Sequence, residues 1–144
     1  KFAETDLLCY RAENQPDLIE LQESRWQPLL DWARDELGAE LRATSGVIPV
    51  GQPPTTLSAL YDIVAKFDDL ALTGVSSLAG VLGSLVLALA IAHGRIDVDE
   101  AGELALLDEL YQAERWGEDD VAREHRARTL ADIADTARFL KLID

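Results

Sequence analysis

The sequence predicts an all-α domain, a compact set of helices around a central apolar helix with a short extended segment at its N-terminus. Two observations lead there. Apolar residues recur at helical spacing through successive stretches that glycine and proline punctuate, and no credible run of strands can be found. A third sets the scale: 144 residues, 48% of them hydrophobic, suffice for one domain with a substantial core and argue against a disordered chain.

The elements follow in order. Residues 1–14 lack a helical period; Leu8 and Tyr10 alternate with Leu7, Cys9 and Arg11 as a short strand would, and the segment reads as the tail of an upstream domain. A helix should open at Pro16, whose fixed φ and missing N–H suit the first position, and close at Gly38. Trp26, Leu29, Leu30, Ala33 and Leu37 form its stripe, Pro28 kinks or splits it, and Trp32 lies off the stripe, against a second neighbour or a partner. Gly46, Pro49, Gly51, Pro53 and Pro54 make 39–54 a loop, and Thr55 or Thr56 should cap a helix carrying Leu57, Leu60, Tyr61, Val64 and Phe67.

Leu70 to His93 contains no charge. Its length would allow a membrane span, but Thr73, Gly74, Ser76, Ser77, Gly80, Gly83 and Ser84 dilute it and no basic cluster flanks it, so the reading is a buried central helix. Ser76, Gly80 and Ser84 offer a small face for close helix approach. Gly94 ends this helix, and Asp97 or Asp99 caps the next, which runs to Trp116 before Gly117 breaks it. The last helix spans about 118–142. Acids in its first turn and Arg138 and Lys141 in its last complement its dipole, and Ala122, Thr129, Leu130, Ile133, Ala137 and Leu140 form its inward stripe.

A formal charge of −14, from 27 acidic and 13 basic residues, repels nucleic acid and anionic lipid and favours solubility or a basic partner. The single cysteine, Cys9, cannot form an internal disulfide, which suits a reducing compartment, here the bacterial cytoplasm. With no methionine and Lys1 at its start, the chain reads as a piece of a longer protein.

Catalytic constellations are scarce. Gly80-Val81-Leu82-Gly83 sits within an apolar run and makes no phosphate loop; Cys9 has no local histidine; His93 and His125 have no second ligand at metal spacing. The run Glu118-Asp119-Asp120 reads as a helix start. Neither a metal nor a cofactor is expected, and the chain does not read as an enzyme.

One charge is out of place. On a helix from Val98 to Trp116, Asp99, Glu100, Glu103 and Glu114 share a solvent sector, while Asp108 falls among Ala101, Leu104, Ala105, Tyr111, Gln112 and Arg115. Such a carboxylate is either paired internally, with Arg115 or with Arg126 of the last helix, or displayed to a partner.

Cys9-Tyr10-Arg11, Leu21-Gln22, Trp26-x-Pro28-x-x-x-Trp32, Leu72-x-Gly74, Leu107-Asp108-Glu109, Tyr111-Gln112 and Trp116-Gly117 occur in an order that resembles the C-terminal region of the F-type ATP synthase assembly chaperone that handles the α subunit, the Atp-twelve family. The resemblance covers nearly the whole chain. It departs from the pattern after Gly117, through 118–124, and at Asp108, where the family carries a glutamate. It implies a chaperone that holds the unassembled α subunit before the catalytic hexamer forms, in the compartment equivalent to the mitochondrial matrix, with a β-rich domain upstream and no insertion into membranes. The expected client-binding residues are Asp108, Glu109, Gln112, Tyr111, Trp116 and Trp32. The competing reading is a small helical ligand-binding or enzymatic domain with a pocket around Asp108, Arg115 and Arg126.

Overall fold

The structure, a computed structural model, describes residues 5–46 and 51–142; Pro49 of the expected loop and residues 1–4 of the expected tail lie outside them. The first described elements are a single 3₁₀ turn, Leu7–Cys9, and strand β1 (Tyr10–Arg11). Helices α1 (Pro16–Arg25) and α2 (Gln27–Leu37) follow, then strand β2 (Thr44–Ser45) and α3 (Pro54–Ala65). The remainder is helical: α4 (Asp69–Leu82), α5 (Leu85–Ala92), α6 (Val98–Ala105), α7 (Leu107–Trp116) and α8 (Asp120–Leu142).

The split at Pro28 is the alternative realised. Trp26 closes α1 and opens α2, because a proline in the first turn of α2 costs no hydrogen bond whereas one inside a continuous helix would. Trp26 is buried, and its indole N–H donates to the Leu104 carbonyl at 2.9 Å, tying this joint to the end of α6. Gly38 ends α2 at φ +68°, the expected left-handed cap.

The uncharged run is two helices, not one. Gly83 takes φ +73°, closing α4, and Ser84 turns extended to cap α5 with its hydroxyl, which accepts from Leu87 N at 3.0 Å. The hub is α5, whose residues Val86 to Ala90 are fully buried against α2, α4 and α6. The proposed small face does not hold: Ser76 and Gly80 are exposed, and only Ser84 is buried, as the cap. Close approach occurs at Gly74 and Gly102, where a Cβ would come within 2.8 Å of Leu140 and 2.6 Å of Leu130, so it is α8 that presses on α4 and α6. No helix of the described residues is long and apolar enough to cross a membrane.

Two further boundaries differ from expectation. Pro54 starts α3 without a side-chain cap; Thr56 instead donates its hydroxyl to the Glu40 carbonyl at 2.6 Å, pinning the preceding loop. Gln52 holds the same loop, accepting from Arg42 N and donating to Arg42 O. The helix expected from Val98 to Trp116 breaks at Leu106 into α6 and α7. Asp97 is the cap of α6, and Asp119, accepting from Ala122 N at 2.8 Å, serves the start of α8.

The N-terminal segment is built into the helical body. Leu8 and Cys9 are fully buried, β1 runs parallel to β2 with Tyr10 opposite Thr44, and Leu7 N donates to the Gly83 carbonyl at 2.9 Å. Asp6 is also fully buried; its carboxylate accepts from Leu8 N, Ser84 Oγ and Val86 N, the last at the start of α5. Burial pushes its carboxyl above the ordinary carboxylate range, while these donors pull the other way. Burial, and then the neighbouring Asp6 charge, push the Cys9 thiol up to about 12, so at neutral pH it remains a protonated core residue.

Candidate functional site

The break at Leu106 decides where the side chains of α7 point. Helical phase counted through an unbroken helix placed Asp108 on the apolar side; with the break, α7 starts afresh and Asp108 is exposed. Within α7 itself, Asp108, Gln112 and Trp116 follow at four-residue steps, and Glu109 and Ala113 lie beside them, so all five share one face. That face and the first turns of α8 line a groove of about 770 Å³. Trp116 and Val121 stand on it with 74% and 73% of their surfaces exposed, large apolar groups that no core claims.

The internal pairings expected for Asp108 are not formed. Arg115 lies 3.7 Å from Asp17 and donates to the Tyr111 hydroxyl at 3.0 Å, on the flank of α7 that faces α1. Arg126, with only 13% of its side chain exposed, is an ion-pair partner of Glu118. Arg126 follows Ala122 by one helical turn on the inward side of α8, and the carboxylate that meets it comes from the turn before α8. Asp108 instead accepts from Gln112 Nε2 at 3.2 Å, and no ion pair joins it, Glu109 or Asp119 to a cation among the described residues. The groove, which Arg126 and Arg128 also line, therefore holds three carboxylates, Asp108, Glu109 and Asp119, with no ion-pair contact among the described residues.

Of the residues singled out in the sequence, Asp108, Glu109, Gln112 and Trp116 line the groove together. Tyr111 faces α1 and packs partly on the core, within reach of Trp116 through Arg115, whose guanidinium lies 5.8 Å and 5.9 Å from the two ring centres. Trp32 is elsewhere: half-buried on α2, it sets its ring edge-to-face with His93 at 6.0 Å, and so packs on a second neighbour. Sequence reasoning missed Val121, although an apolar residue isolated in the acidic start of α8 was a signal. Of the pocket expected around Asp108, Arg115 and Arg126, the groove brings Asp108 and Arg126 together, while Arg115 lies on the other flank of α7. Among the described residues no three His, Cys, Asp or Glu side chains are placed to hold a metal ion.

Known proteins share this architecture. The solved structure of Atp12 from Paracoccus denitrificans superposes with a TM-score of 0.95 at 45% identity, over 99% of this chain and 61% of that one. The family model described as ATP12 chaperone protein matches residues 1–34. Together these matches support an ATP12 family assignment. The Atu1473 protein of Agrobacterium tumefaciens superposes on this chain with a TM-score of 0.93 at 38% identity, covering 99% of it and 54% of the solved chain. The mitochondrial atp12 protein of Schizosaccharomyces pombe is 25% identical over 130 residues, 86% of this chain and 45% of the yeast protein. The chain thus spans about half of that relative's length. The two structural superpositions, each over 99% of this chain, extend across α7 and α8.

Proposed function

We propose that this chain is the helical client-binding part of an assembly chaperone for the α subunit of the F-type ATP synthase, acting in the bacterial cytoplasm. It works by binding alone, with neither a catalytic step nor a metal or cofactor. It holds the unassembled subunit until the catalytic hexamer forms, and the groove between α7 and α8 is the surface that meets the client. The observation that carries this reading is Asp108, exposed at a groove with an exposed tryptophan and joined to no cation among the described residues. Unneutralised carboxylates beside exposed apolar surface suit a client whose buried-to-be interface presents basic and apolar groups. Asp108, Glu109, Gln112 and Trp116 would form the contact. Tyr111 supports it from the far flank, and Trp32 serves the fold.

The test is Asp108→Asn, which is nearly isosteric and keeps an acceptor for Gln112. Folding stability should stay within about 0.5 kcal/mol of the parent, as for an exposed site. Affinity for purified α subunit, and the capacity to keep it soluble, should fall about ten-fold or more, because a client cation loses its counter-charge. Unchanged affinity with unchanged melting would remove Asp108 from the client surface; failure of the parent chain to bind α subunit would remove the client itself.

A further inference from the structure

The groove carboxylate is not free to rotate, and what restrains it comes from the other end of the chain. Gln112 Nε2 donates to Asp108 Oδ1 at 3.2 Å and to Gln15 Oε1 at 3.0 Å, while Gln15 Nε2 faces Gln112 Oε1 at 3.4 Å. Two acceptors therefore claim the two amide hydrogens of Gln112. Turning that amide over would set its oxygen against the Asp108 carboxylate and against the Gln15 oxygen, so the pair of glutamines has one favourable arrangement. Gln15 is itself held in place. It precedes Pro16 at the start of α1, where its own backbone accepts from Ile19 N at 2.9 Å, and the flanking Asp17 reaches Arg115. Just upstream, Ala12 N donates to the buried Gln22 side chain at 2.8 Å, which fixes the path of the chain into α1.

The geometry points to Gln15 as a positioning residue for client binding: through Gln112 it presents the Asp108 carboxylate in one orientation to the groove. Gln15 touches no groove surface itself; it lies on the α1 flank of α7, with Asn14, Asp17 and Tyr111. The inference rests on the client-binding reading above, since it assigns Gln15 a role only if Asp108 meets a partner. It joins the N-terminal segment, anchored by β1 and Asp6, to the charged face of α7.

Two replacements separate orientation from packing. Gln15→Met keeps the length and volume but offers Gln112 no acceptor; Gln15→Glu keeps an acceptor for the Gln112 amide. With purified α subunit as the probe, Gln15→Met should weaken binding about five-fold, the size of one neutral hydrogen bond, and Gln15→Glu should restore most of the loss. Melting temperatures of both should match the parent, because the position is half-exposed. In an Asp108→Asn background Gln15→Met should cost nothing further, since the carboxylate it positions is gone; non-additivity of that cycle is the readout a packing role would not produce. If Asp108→Asn weakens binding but Gln15→Met does not, or if the losses simply add, the positioning role is overturned and the client-binding reading stands. If Asp108→Asn itself binds normally, that reading fails, and this inference with it.

Discussion

Three glycines inside helices should respond to alanine in three different ways, and the order tests the packing of α8. At Gly74 an alanine Cβ would lie 2.8 Å from Leu140 Cδ1 and 3.4 Å from two ring carbons of Phe139. Carbon atoms in contact rest about 3.5–4.0 Å apart, so Leu140 must retreat by roughly 1 Å. Leu140 is 8% exposed and hemmed in, so the strain should cost about 2–3 kcal/mol, of which helix propensity returns about 1. The net loss, about 1–2 kcal/mol, corresponds to a melting temperature lower by roughly 3–8 °C for a chain of this size. At Gly102 the clash is nominally worse, 2.6 Å, but it falls on the far end of Leu130, which is 45% exposed and free to swing aside. Gly102→Ala should therefore lie within about 0.5 kcal/mol of the parent. Gly80 is exposed, so Gly80→Ala should stabilise by about 0.5–1 kcal/mol through propensity alone. Urea denaturation of the three variants, with slopes compared to confirm an unchanged native state, gives the order directly. Were Gly74→Ala as stable as Gly80→Ala, α8 would not lie against α4 as described, and the groove wall it supplies would have to be placed differently.

Two other positions give clear expectations. Since folding raises the Asp6 carboxyl above its ordinary value of about 3.8, the folded state takes up the proton first, so this group's contribution to stability should increase as pH falls through its folded pKa and be least favourable at neutral pH. Asp6→Asn cannot titrate, so the stability of the parent relative to the variant should rise between neutral pH and about 4; a flat difference across that range would show that the carboxylate is as comfortable in the fold as in water. Trp26→Phe removes the indole donor from the buried Leu104 carbonyl and part of a fully packed ring, and should cost about 2–3 kcal/mol by calorimetry; a loss under 1 kcal/mol would mean that the α1–α2 joint is not held by α6.

Most of the helices were legible because their signals are local. Pro16, Gly38, Asp97 and Gly117 mark ends by backbone chemistry that needs no tertiary context; periodicity gives the stripe of α2 and the second half of that of α8, where Ile133, Ala137 and Leu140 are buried while Leu130 is exposed. The misreadings share one cause. At Gly83 and Leu106 the chain changes direction within an apolar sequence, and periodicity alone does not distinguish one buried helix from two short ones packed on each other. Gly83 and Ser84 held the clue, as a left-handed closer followed by a capping hydroxyl, but in a glycine- and serine-rich stretch they looked like small residues suited to helix contact. Gly80 was credited with a contact that belongs to Gly74 and Gly102 for the same reason: composition shows which residues permit close approach, and only the fold shows where a neighbour arrives.

The candidate site was legible in part, and the part that failed explains the part that held. Asp108 stood out because a carboxylate among apolar positions needs a partner, and the sequence supplied two candidate cations. Both are engaged: Arg115 with Asp17 and Tyr111, Arg126 with Glu118. Those pairings depend on contacts between α7 and α1 and on the turn before α8, neither visible in a one-dimensional pattern. Once they are made, the argument reverses. Arg126, with little of its side chain exposed, is paired within the domain by Glu118, and Asp108 is left with the neutral amide of Gln112 as its hydrogen-bond partner among the described residues. Exposure spares the domain the cost of an unpaired charge, so the fold has no need of a carboxylate at this position. Under the proposed client contact that carboxylate meets a basic group, and the tryptophan and valine beside it, with most of their surface in water, supply the apolar part of the same surface.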